Sequence, residues 1–244
     1  MKRVSTIAAA IALACASVAG QAYEQGDWIL RVGATTVDPD SESDTINLPT
    51  GLEAKAEVDS DTQLGIIPAY MITDQLAIEV LAATPFEHNI EAQGQGAISG
   101  TNLDAGSTKH LPPTVSLQWY PLAGPGRWQP YIGAGLNYTV FFDEEVDSPL
   151  VGLLGSLTGG AVNDADLSLD DSFGIAFQAG MDVAIDDHWA INAGVWYLDI
   201  DTQAEITAKA SGATAAKVKF DVQIDPWVYN IRYRLQVLAL AAIG

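Results

Sequence analysis

The sequence is short of cysteine and of basic residues, and each shortage excludes a class of protein. Cys15 is the only cysteine, and 11 Lys and Arg residues stand against 31 Asp and Glu residues, which gives a formal net charge of −20. A chain this acidic repels nucleic-acid phosphates, so we expect no nucleic-acid partner. Hydrophobic residues still make up 48% of the chain and charged residues only 17%, which is not the composition of a disordered acidic chain.

The sequence also lacks a recognisable catalytic constellation. Its three histidines, His88, His110 and His188, lie near the ends of predicted strands or in turns, and no serine lies in a nucleophile motif. His88 and His110 flank one long loop, where we interpret them as polar rim residues. A metal pair is the alternative, although two ligands without a third do not define a site. We predict that the protein is not an enzyme and has no cofactor, catalytic residue or metal ligand.

The N-terminus has the pattern of a secretory signal. A basic start is followed by an apolar run that ends at about Ala14 and then by small residues, which predicts cleavage after Ala22. The apolar run is too short to span a membrane. Cys15 faintly resembles a lipoprotein signal, and lipidation there is the alternative. With cleavage after Ala22 the mature chain has no cysteine, and therefore neither a disulfide nor a thiolate nucleophile.

Eight segments with strand-like alternation follow the signal. They are Trp28–Val37, Thr62–Tyr70, Leu76–Phe86, Pro113–Tyr120, Tyr131–Phe142, Leu169–Ile185, Trp189–Ile206 and Val218–Leu235. No segment has a sustained apolar stripe of helical period. Long links at 38–61, 87–110, 143–168 and 207–217 alternate strictly with short links at 71–75, 121–130 and 186–188. Short turns on one side and long loops on the other are typical of a bacterial outer-membrane barrel.

The two faces of these segments support the same architecture. In the fifth segment Ile132, Leu136 and Tyr138 alternate with Gly133 and Gly135, so that one face is large and apolar and the other is small. A soluble lipocalin-like barrel would place the bulky apolar face inside. A sheet in hydrocarbon must close to satisfy its backbone groups. We therefore predict an all-β fold, an eight-stranded antiparallel transmembrane β-barrel of the outer-membrane type, with both ends of the mature chain on the short-turn side.

The last segment carries aromatic residues at alternate positions near the end of the chain. Trp227, Tyr229 and Tyr233 share one face, which we predict to face lipid near an interface. Apolar residues occupy even positions before Asp225-Pro226 and odd positions after it. We predict a bulge or a kink at Pro226 that shifts the faces of the strand.

Eight ordered stretches carry a resemblance to a known family. They are RVGATTV (Arg31–Val37), TQLGI (Thr62–Ile66), EVLAATPFEH (Glu79–His88), HLPPTVSLQWY (His110–Tyr120), PYIGAGLNYTVFFDE (Pro130–Glu144), LDDSFG (Leu169–Gly174), VWYLDIDT (Val195–Thr202) and IDPWVY (Ile224–Tyr229). From about Gly26 to Leu235 the chain resembles the OmpW family of small outer-membrane proteins, which includes the alkane-uptake protein AlkL. The resemblance implies a monomeric barrel with a narrow, largely hydrophobic passage for small apolar molecules.

The resemblance also implies a division of the chain and a departure at its end. We expect a signal peptide at 1–22, the barrel at 23–235 and a C-terminal extension at 236–244. Members of the family end in an aromatic residue that assists assembly, whereas Leu235 occupies that position here and the sequence QVLALAAIG follows it.

Leu81 and Trp196 match the positions at which the family's passage is constricted. Alternation along the strand independently places both side chains on inward faces. As an alternative, the two residues simply fill the core of a small barrel, and both interpretations can hold together.

Three charged residues are also predicted to face inward: Arg31, Glu79 and Asp182. An unpaired charge in a narrow lumen is costly, so we expect these residues to pair and to serve as scaffolding of the barrel. Nearer the long loops we expect polar inward residues at Asn137, Thr139, Asp199 and Asp201.

Prolines mark a candidate lateral opening. Pro85, Pro112 and Pro113 cannot donate ladder hydrogen bonds, and a weak seam near the long-loop rim would let an apolar solute leave sideways between strands. The alternative is that these prolines simply end strands.

Two function classes follow. The leading hypothesis is passive uptake of small hydrophobic molecules across the outer membrane, with lateral exit. The alternative is a surface-interaction barrel with a plugged lumen, whose acidic loops contact ions, lipopolysaccharide or partners.

The link 38–61 carries many acidic residues and only one basic residue, Lys55. We interpret this link as solvated surface, and divalent-cation binding is the more specific alternative. Expected partners are outer-membrane lipid, lipopolysaccharide, small hydrophobic solutes and the outer-membrane assembly machinery.

Overall fold

The computed structural model describes residues 23–40, 42–43, 45–47, 53–96, 99–122, 124, 126–186 and 188–237. The predicted signal peptide at 1–22, with Cys15 and the cleavage site, and the end of the chain from residue 238 lie outside the described residues.

The described residues are mostly strands. In chain order these are β1 (Trp28–Asp38), β2 (Glu42–Ser43), β3 (Ile46–Asn47), β4 (Glu53–Val58), β5 (Asp61–Met71), β6 (Leu76–Ala83), β7 (Phe86–Gln95), β8 (Asn102–Leu111), β9 (Thr114–Trp119), β10 (Trp128–Val146), β11 (Asp164–Leu169), β12 (Ser172–Ala184), β13 (Trp189–Leu198), β14 (Asp201–Ala210), β15 (Ala213–Gln223) and β16 (Trp227–Val237). A single described α-helix, α1, covers Ser148–Leu157. Within the described part of the chain, no helix is long and apolar enough to cross a membrane.

Eight of these strands close into an antiparallel barrel, as the sequence predicted. The order around the barrel is β1–β5–β6–β9–β10–β12–β13–β16, and β16 pairs with β1 again. Closure of the ring includes the pairs Ala34↔Ile231 between β1 and β16 and Leu136↔Ile175 between β10 and β12. Closure leaves no unpaired sheet edge at this level, which is the condition for a sheet to stand in hydrocarbon.

The outer face of the barrel is apolar and is bounded by aromatic residues at two levels. The exposed aliphatic side chains of this face include Leu64, Ile78, Leu117, Ile132, Ile191 and Ile231. Exposed aromatic side chains at the short-turn end are Trp28, Tyr70, Trp119, Trp189 and Tyr233, and those at the long-loop end are Tyr138, Phe173, Trp227 and Tyr229. Apolar bands between two aromatic girdles are the signature of a barrel that faces lipid.

Above the barrel the chain forms further sheet where the sequence predicted loops. The predicted loops 87–110 and 207–217 are wrong: these residues belong to the hairpins β7–β8 and β14–β15. β4 adds to β7, and β11, β14, β15 and β2 form a separate four-stranded sheet. The long link 143–168 contains α1, which the sequence did not predict. We refer to this part of the molecule as the extension.

The final three predicted transmembrane segments were too long. β12 begins after a break at 170–171, β13 and β14 are separated at 199–200, and β15 and β16 at 224–226, where Asp225 has a positive φ of 34°. At each break the chain passes between the barrel wall and the extension: it enters the barrel at 170–171 and 224–226 and leaves it at 199–200. The final strand runs to Val237 and pairs with the start of β1, so both ends of the described chain lie at the short-turn end.

The interpretation of Pro226 needs correction. The strand is interrupted there, but even-numbered residues face inward on both sides of the break: Val222 and Ile224 are buried, and so are Val228 and Asn230. The apolar pattern changes parity because the inside of the extension is apolar, whereas the inward residues of β16 beyond Val228 are polar: Asn230, Arg232 and Arg234.

Candidate functional site

The lumen of the barrel contains a buried polar network centred on Arg31. Its Nη1 donates to Glu79 Oε2 at 2.5 Å, and its Nη2 donates to Asp182 Oδ2 at 2.8 Å. Nη2 also donates to the Tyr120 hydroxyl at 2.7 Å, and the guanidinium lies 5.0 Å from the centre of the Tyr131 ring. The three charged residues that the sequence placed in the lumen are thus in direct contact.

Neutral side chains from neighbouring strands complete this network. Gln118 Nε2 donates to Glu79 Oε2 at 2.8 Å, and Asn192 Nδ2 donates to Asp182 Oδ1 at 2.9 Å. The Tyr23 hydroxyl donates to Asp182 Oδ2 at 2.6 Å and accepts a bond from Arg234 Nη1 at 2.7 Å. All of these side chains are buried.

The polar network lies in the path that an apolar solute would take along the axis of the barrel. Such a solute would have to separate buried, charge-assisted hydrogen bonds, and it has no polar group that could replace the lost partners. Leaving one buried polar group unsatisfied costs about 1–3 kcal/mol, and a charged group costs more.

An apolar layer lies directly on the long-loop side of the polar network. β6 shows the change most simply, because Glu79 belongs to the network and Leu81, the next inward residue, belongs to the apolar layer. The layer consists of Val37, Ile67, Leu81, Phe86, Phe141, Ala176, Trp196, Leu198, Ile200, Ala204, Val222, Ile224 and Val228. Leu81 and Trp196 are therefore buried in one cluster. Their role as a gate stays a prediction.

A cavity continues from the apolar layer into the extension. Its volume is about 150 Å³. Apolar side chains supply most of its wall: Ile46, Ala56, Val58, Ile90, Phe141, Leu150, Leu154, Leu167, Leu169, Ile206, Val218, Phe220, Val222 and Ile224. Both sheets of the extension and α1 contribute to this wall, so the missed helix and the missed hairpins are the elements that build the cavity. We call it the extension cavity.

The predicted prolines lie together at an interruption of the wall. β6 pairs with β9 up to Leu81↔Thr114, and pairing resumes between β7 and β8 at Phe86↔His110. Between these pairs, the described residues 82–85 on one side and 111–113 on the other form no ladder pair with each other. One side has one residue more than the other, as in a β-bulge. We call this interruption the seam. It contains Pro85, Pro112 and Pro113.

The seam lies close to the extension cavity. His88 and His110, which follow and precede the seam in sequence, both line the cavity, as does Phe141 beside His110. Pro85 and Pro113 are exposed on the outside, whereas Pro112 is buried. Only a few residues of irregular wall therefore separate an apolar interior from the lipid-facing surface.

His88 and His110 approach one another, in keeping with their flanking positions in the sequence. Their rings are parallel within 6°, with centroids 4.8 Å apart. Among the residues that the structure describes, no group of three or more potential ligands is placed to hold a metal ion.

The polar inward residues expected near the long loops are only partly inside. Asn137 and Thr139 are buried, and the Thr139 hydroxyl donates to Asn137 Oδ1 at 2.7 Å. Asp201 is exposed and Asp199 is half-buried, so their predicted inward orientation was wrong. Along β13 and β14 the inward residues are even-numbered, as Trp196, Leu198 and Thr202 show.

Comparison with known proteins identifies this arrangement. A family model described as the OmpW family matches residues 24–235. The chain belongs to the OmpW family. Outer membrane protein W of Vibrio cholerae serotype O1 is 41% identical over 222 residues, which cover 91% of this chain and 94% of that protein.

Two further relatives of the family extend the comparison. The crystal structure of OprG from Pseudomonas aeruginosa superimposes with a TM-score of 0.75 at 40% identity and covers 90% of this chain and 100% of that chain. Outer membrane protein AlkL of Ectopseudomonas oleovorans is 25% identical and is matched over 86% of this chain and 81% of that protein. The chain is thus a β-barrel of the bacterial outer membrane, in contact with its lipid and lipopolysaccharide, and its matched relatives are outer-membrane barrel proteins rather than known enzymes.

Proposed function

We propose that this barrel takes up small hydrophobic molecules passively across the outer membrane and releases them sideways into the bilayer. One observation carries the proposal: an apolar cavity lies above a lumen that is closed by buried ion pairs and beside an interruption in the barrel wall. An apolar solute would enter through the extension, which shields it from the charged sugar layer of lipopolysaccharide.

Energetics favour the lateral route over the axial route. An axial path crosses the polar network of Arg31, Glu79 and Asp182, in which every displaced partner leaves a buried charge uncompensated. A lateral path through the seam crosses a segment that has few ladder hydrogen bonds to break and ends in lipid, where an apolar molecule is stable.

Leu81 and Trp196 act in this scheme as a floor that directs the solute sideways. Both are fully packed in the apolar layer, and Trp196 is one of the largest buried side chains of the described chain. These two side chains can block the axial path and fill the core at the same time, because both roles require only their large volume.

One observation favours the second function class. The lumen is filled, and the extension carries acidic side chains such as Asp143 and Asp147 on a half-buried or exposed surface. A barrel of this kind that binds ions, lipopolysaccharide or a protein through its loops would need no passage at all.

The remaining assignments complete the proposal. The barrel acts as a monomer, delivered by the signal peptide at 1–22 and inserted by the outer-membrane assembly machinery. Residues 236–244 follow Leu235 as a C-terminal tail, and its first two residues, Gln236 and Val237, belong to β16 and pair with β1.

Uptake into liposomes separates the two function classes. Vesicles that contain the folded protein should take up an apolar solute such as octane faster than protein-free vesicles, with no gain for a polar solute such as glucose. An equal rate for every apolar solute with and without protein would favour the surface-interaction alternative.

Crosslinking across the seam tests the route. The mature chain lacks cysteine under the predicted cleavage, so a disulfide can be placed between Ala82→Cys and Pro113→Cys, both exposed at the seam. The matched control is Val80→Cys with Val115→Cys, which are ladder partners in the regular wall just below. Oxidation should reduce apolar uptake at the seam pair only. If the locked seam leaves uptake unchanged while Trp196→Ala increases it, the lateral route is wrong and the axial route stands.

A further inference from the structure

Helix α1 belongs to the connection that crosses between the two sheets of the extension, at their ends away from the barrel. β10 ends on one sheet, and β11 begins on the other. Asp147 N–H donates to the Ala105 carbonyl of β8 at 3.0 Å, and Asn163 N–H donates to the Lys209 carbonyl of β14 at 3.0 Å. Among the described residues no ladder joins β10 to β11, so α1 and the residues after it bridge two sheets that are not paired there.

The inner side of this bridge covers the extension cavity. Leu150 and Leu154 of α1, and Val162 after it, line the cavity wall. The chain carries 31 Asp and Glu residues, yet the whole bridge from 148 to 163 has no charged side chain. An apolar solute that reaches the bridge therefore displaces no hydrated charge, which would be costly to desolvate.

Little besides apolar packing holds α1 in place. Leu150 is its one buried residue, and within the described chain residues 148–157 form no hydrogen bond to a strand. No side chain caps the start of the helix, and Gly152 and Gly155 lower its helix propensity. A helix of 10 residues with this composition depends on its tertiary contacts, so α1 can move away without breaking a ladder between strands.

Two glycines after α1 give the bridge a hinge. Gly159 and Gly160 have φ values of 65° and 85°, in the left-handed region that glycine enters at low cost. Asn163 follows three residues later and stays tied to β14, because its side-chain Oδ1 also accepts a bond from Ser211 N–H at 2.9 Å. The hinge therefore lies between a weakly held helix and a firmly held end.

We propose that α1 is a lid over the outer mouth of the extension cavity, and that small apolar molecules enter when it swings away about Asp147 and Gly159-Gly160. This inference rests on the proposed function, since it supplies the entry step for the same cavity. β8 is bonded to the bridge at Ala105 and ends in the seam at Leu111, so entry and exit lie towards the two ends of one strand. Between solutes the closed lid keeps the apolar wall out of water.

A disulfide across the hinge tests whether the lid must move. A Cβ on Gly155 would lie 3.0 Å from the Val162 carbonyl oxygen, so Gly155→Cys and Val162→Cys place two thiols close together on either side of the hinge. Benzene is the probe, because a dry apolar cavity of about 150 Å³ accommodates it. In phospholipid vesicles with an outer layer of lipopolysaccharide, the oxidised variant should take up benzene at the protein-free rate. The reduced form of the same variant is the matched control and should keep protein-dependent uptake.

Spin-label distances test the weak hold on the lid without any crosslink. The lid pair joins Gly152→Cys, where an added side chain meets nothing within 4 Å, to the exposed Thr214→Cys on β15. Combining Leu150→Ala with Leu154→Ala removes the packing that keeps the lid closed and should add a second distance population to the lid pair. The control pair, the exposed Asp104→Cys on β8 with Thr214→Cys, has one label on each sheet and should keep a single distance in the same alanine background.

The outcomes separate the lid from the function on which it rests. Equal benzene uptake by the oxidised and reduced forms, with the disulfide confirmed by thiol titration, would overturn the lid and leave the proposed passage standing. An unchanged single distance for the lid pair in the alanine background would overturn it as well, and this measurement decides alone if the disulfide does not form. A second distance for the lid pair, with no protein-dependent uptake of any solute, would support the lid and count against transport.

Discussion

Arg31 and Glu79 form an ion pair inside the barrel, with Nη1 and Oε2 2.5 Å apart and both side chains shielded from solvent. The same guanidinium contacts Asp182, so one cation holds two carboxylates in the lumen. Because each carboxylate has lost its water, the arrangement depends on the presence of all three charges rather than on the strength of any one pair.

Replacement of Arg31 should destabilise the barrel strongly. Arg31→Met leaves Glu79 and Asp182 buried without their cation, and we expect the free energy of unfolding to fall by about 3–5 kcal/mol. Reversible urea unfolding in lipid vesicles measures this. The triple variant that also carries Glu79→Gln and Asp182→Asn should recover much of the loss. Lys109→Met removes an exposed rim pair with Asp143 and serves as the control, with little expected change. A wild-type unfolding midpoint for Arg31→Met would contradict this account.

Alternation of residue types predicted correctly which side chains face lipid and which face the lumen in the barrel, but it did not predict which side chains face inward in the extension. Between the aromatic girdles, lipid and lumen impose opposite demands on successive residues, so Ile231 and Asn230 can be assigned from their chemistry. In the extension the inside is apolar, and Val222 faces a cavity although it resembles a lipid-facing residue. A two-residue pattern shows that two faces differ, but it does not show which of them is inside.

The hairpins of the extension could have been predicted from a weaker signal in the sequence. Ser211 and Gly212 connect β14 to β15 with φ values of 49° and 82°. A two-residue loop with positive φ at both positions is the preferred hairpin turn, and Ser-Gly between alternating segments predicts it. The cavity could not be predicted in the same way, because α1, β4, β7, β8, β11, β14 and β15 all contribute to it from distant parts of the chain.

Gly180 should be intolerant of a side chain. A Cβ at this position would lie 2.4 Å from the Tyr131 hydroxyl and 2.5 Å from its ring carbon Cζ, because Tyr131 lies over the glycine. We expect Gly180→Ala to lower the free energy of unfolding by about 1–3 kcal/mol, the usual cost of overpacking. In combination with Tyr131→Ala the two losses should be less than additive.

A helical glycine provides the control for this substitution. Gly152 is exposed in α1, and a Cβ added there would meet no neighbouring group within 4 Å, so Gly152→Ala should be neutral or slightly stabilising. Equal effects of Gly180→Ala and Gly152→Ala would show that the close approach of Tyr131 does not constrain the lumen.

The lipid-facing surface should reject charge at mid-height. Ile231 is 70% exposed and lies between Tyr229 and Tyr233 on β16. Ile231→Arg should cost about 2–4 kcal/mol in folding from urea into vesicles, as for an arginine at the bilayer midplane. Leu122→Arg, in a short turn at 58% exposure, should cost about 0–1 kcal/mol. Equal tolerance at the two positions would argue that this face does not contact hydrocarbon.

Acid should loosen the extension before it affects the barrel. In an unfolded chain a histidine has a pKa near 6.5, whereas burial lowers the pKa of His88 and brings that of His110 to about 3. Between these values the unfolded segment binds more protons than the folded one. The stabilisation is therefore complete above about pH 6.5 and is lost as the pH falls towards 3. Asp59 and Asp61, the acidic groups that face His88, reduce this effect without reversing it.

Hydrogen exchange of the backbone amides in β7 and β8 can follow this loss strand by strand. We expect exchange in these strands to accelerate, after correction for the intrinsic pH dependence, as the pH falls from 7 towards 4, while β1 and β16 in the barrel stay protected. The variant with both His88→Phe and His110→Phe should lose the acceleration that begins near pH 6.5. This variant should keep a smaller acceleration of exchange near pH 4, which comes from protonation of Asp61. Burial opposes ionisation of the Asp61 carboxyl, but hydrogen bonds from Glu87 N–H and Gln63 lower its pKa below the ordinary value. Protection of β7 and β8 that does not change between pH 7 and pH 5 in the wild type would show that the two rings tolerate protonation in place. The stacked pair would then have no part in keeping the wall of the cavity closed.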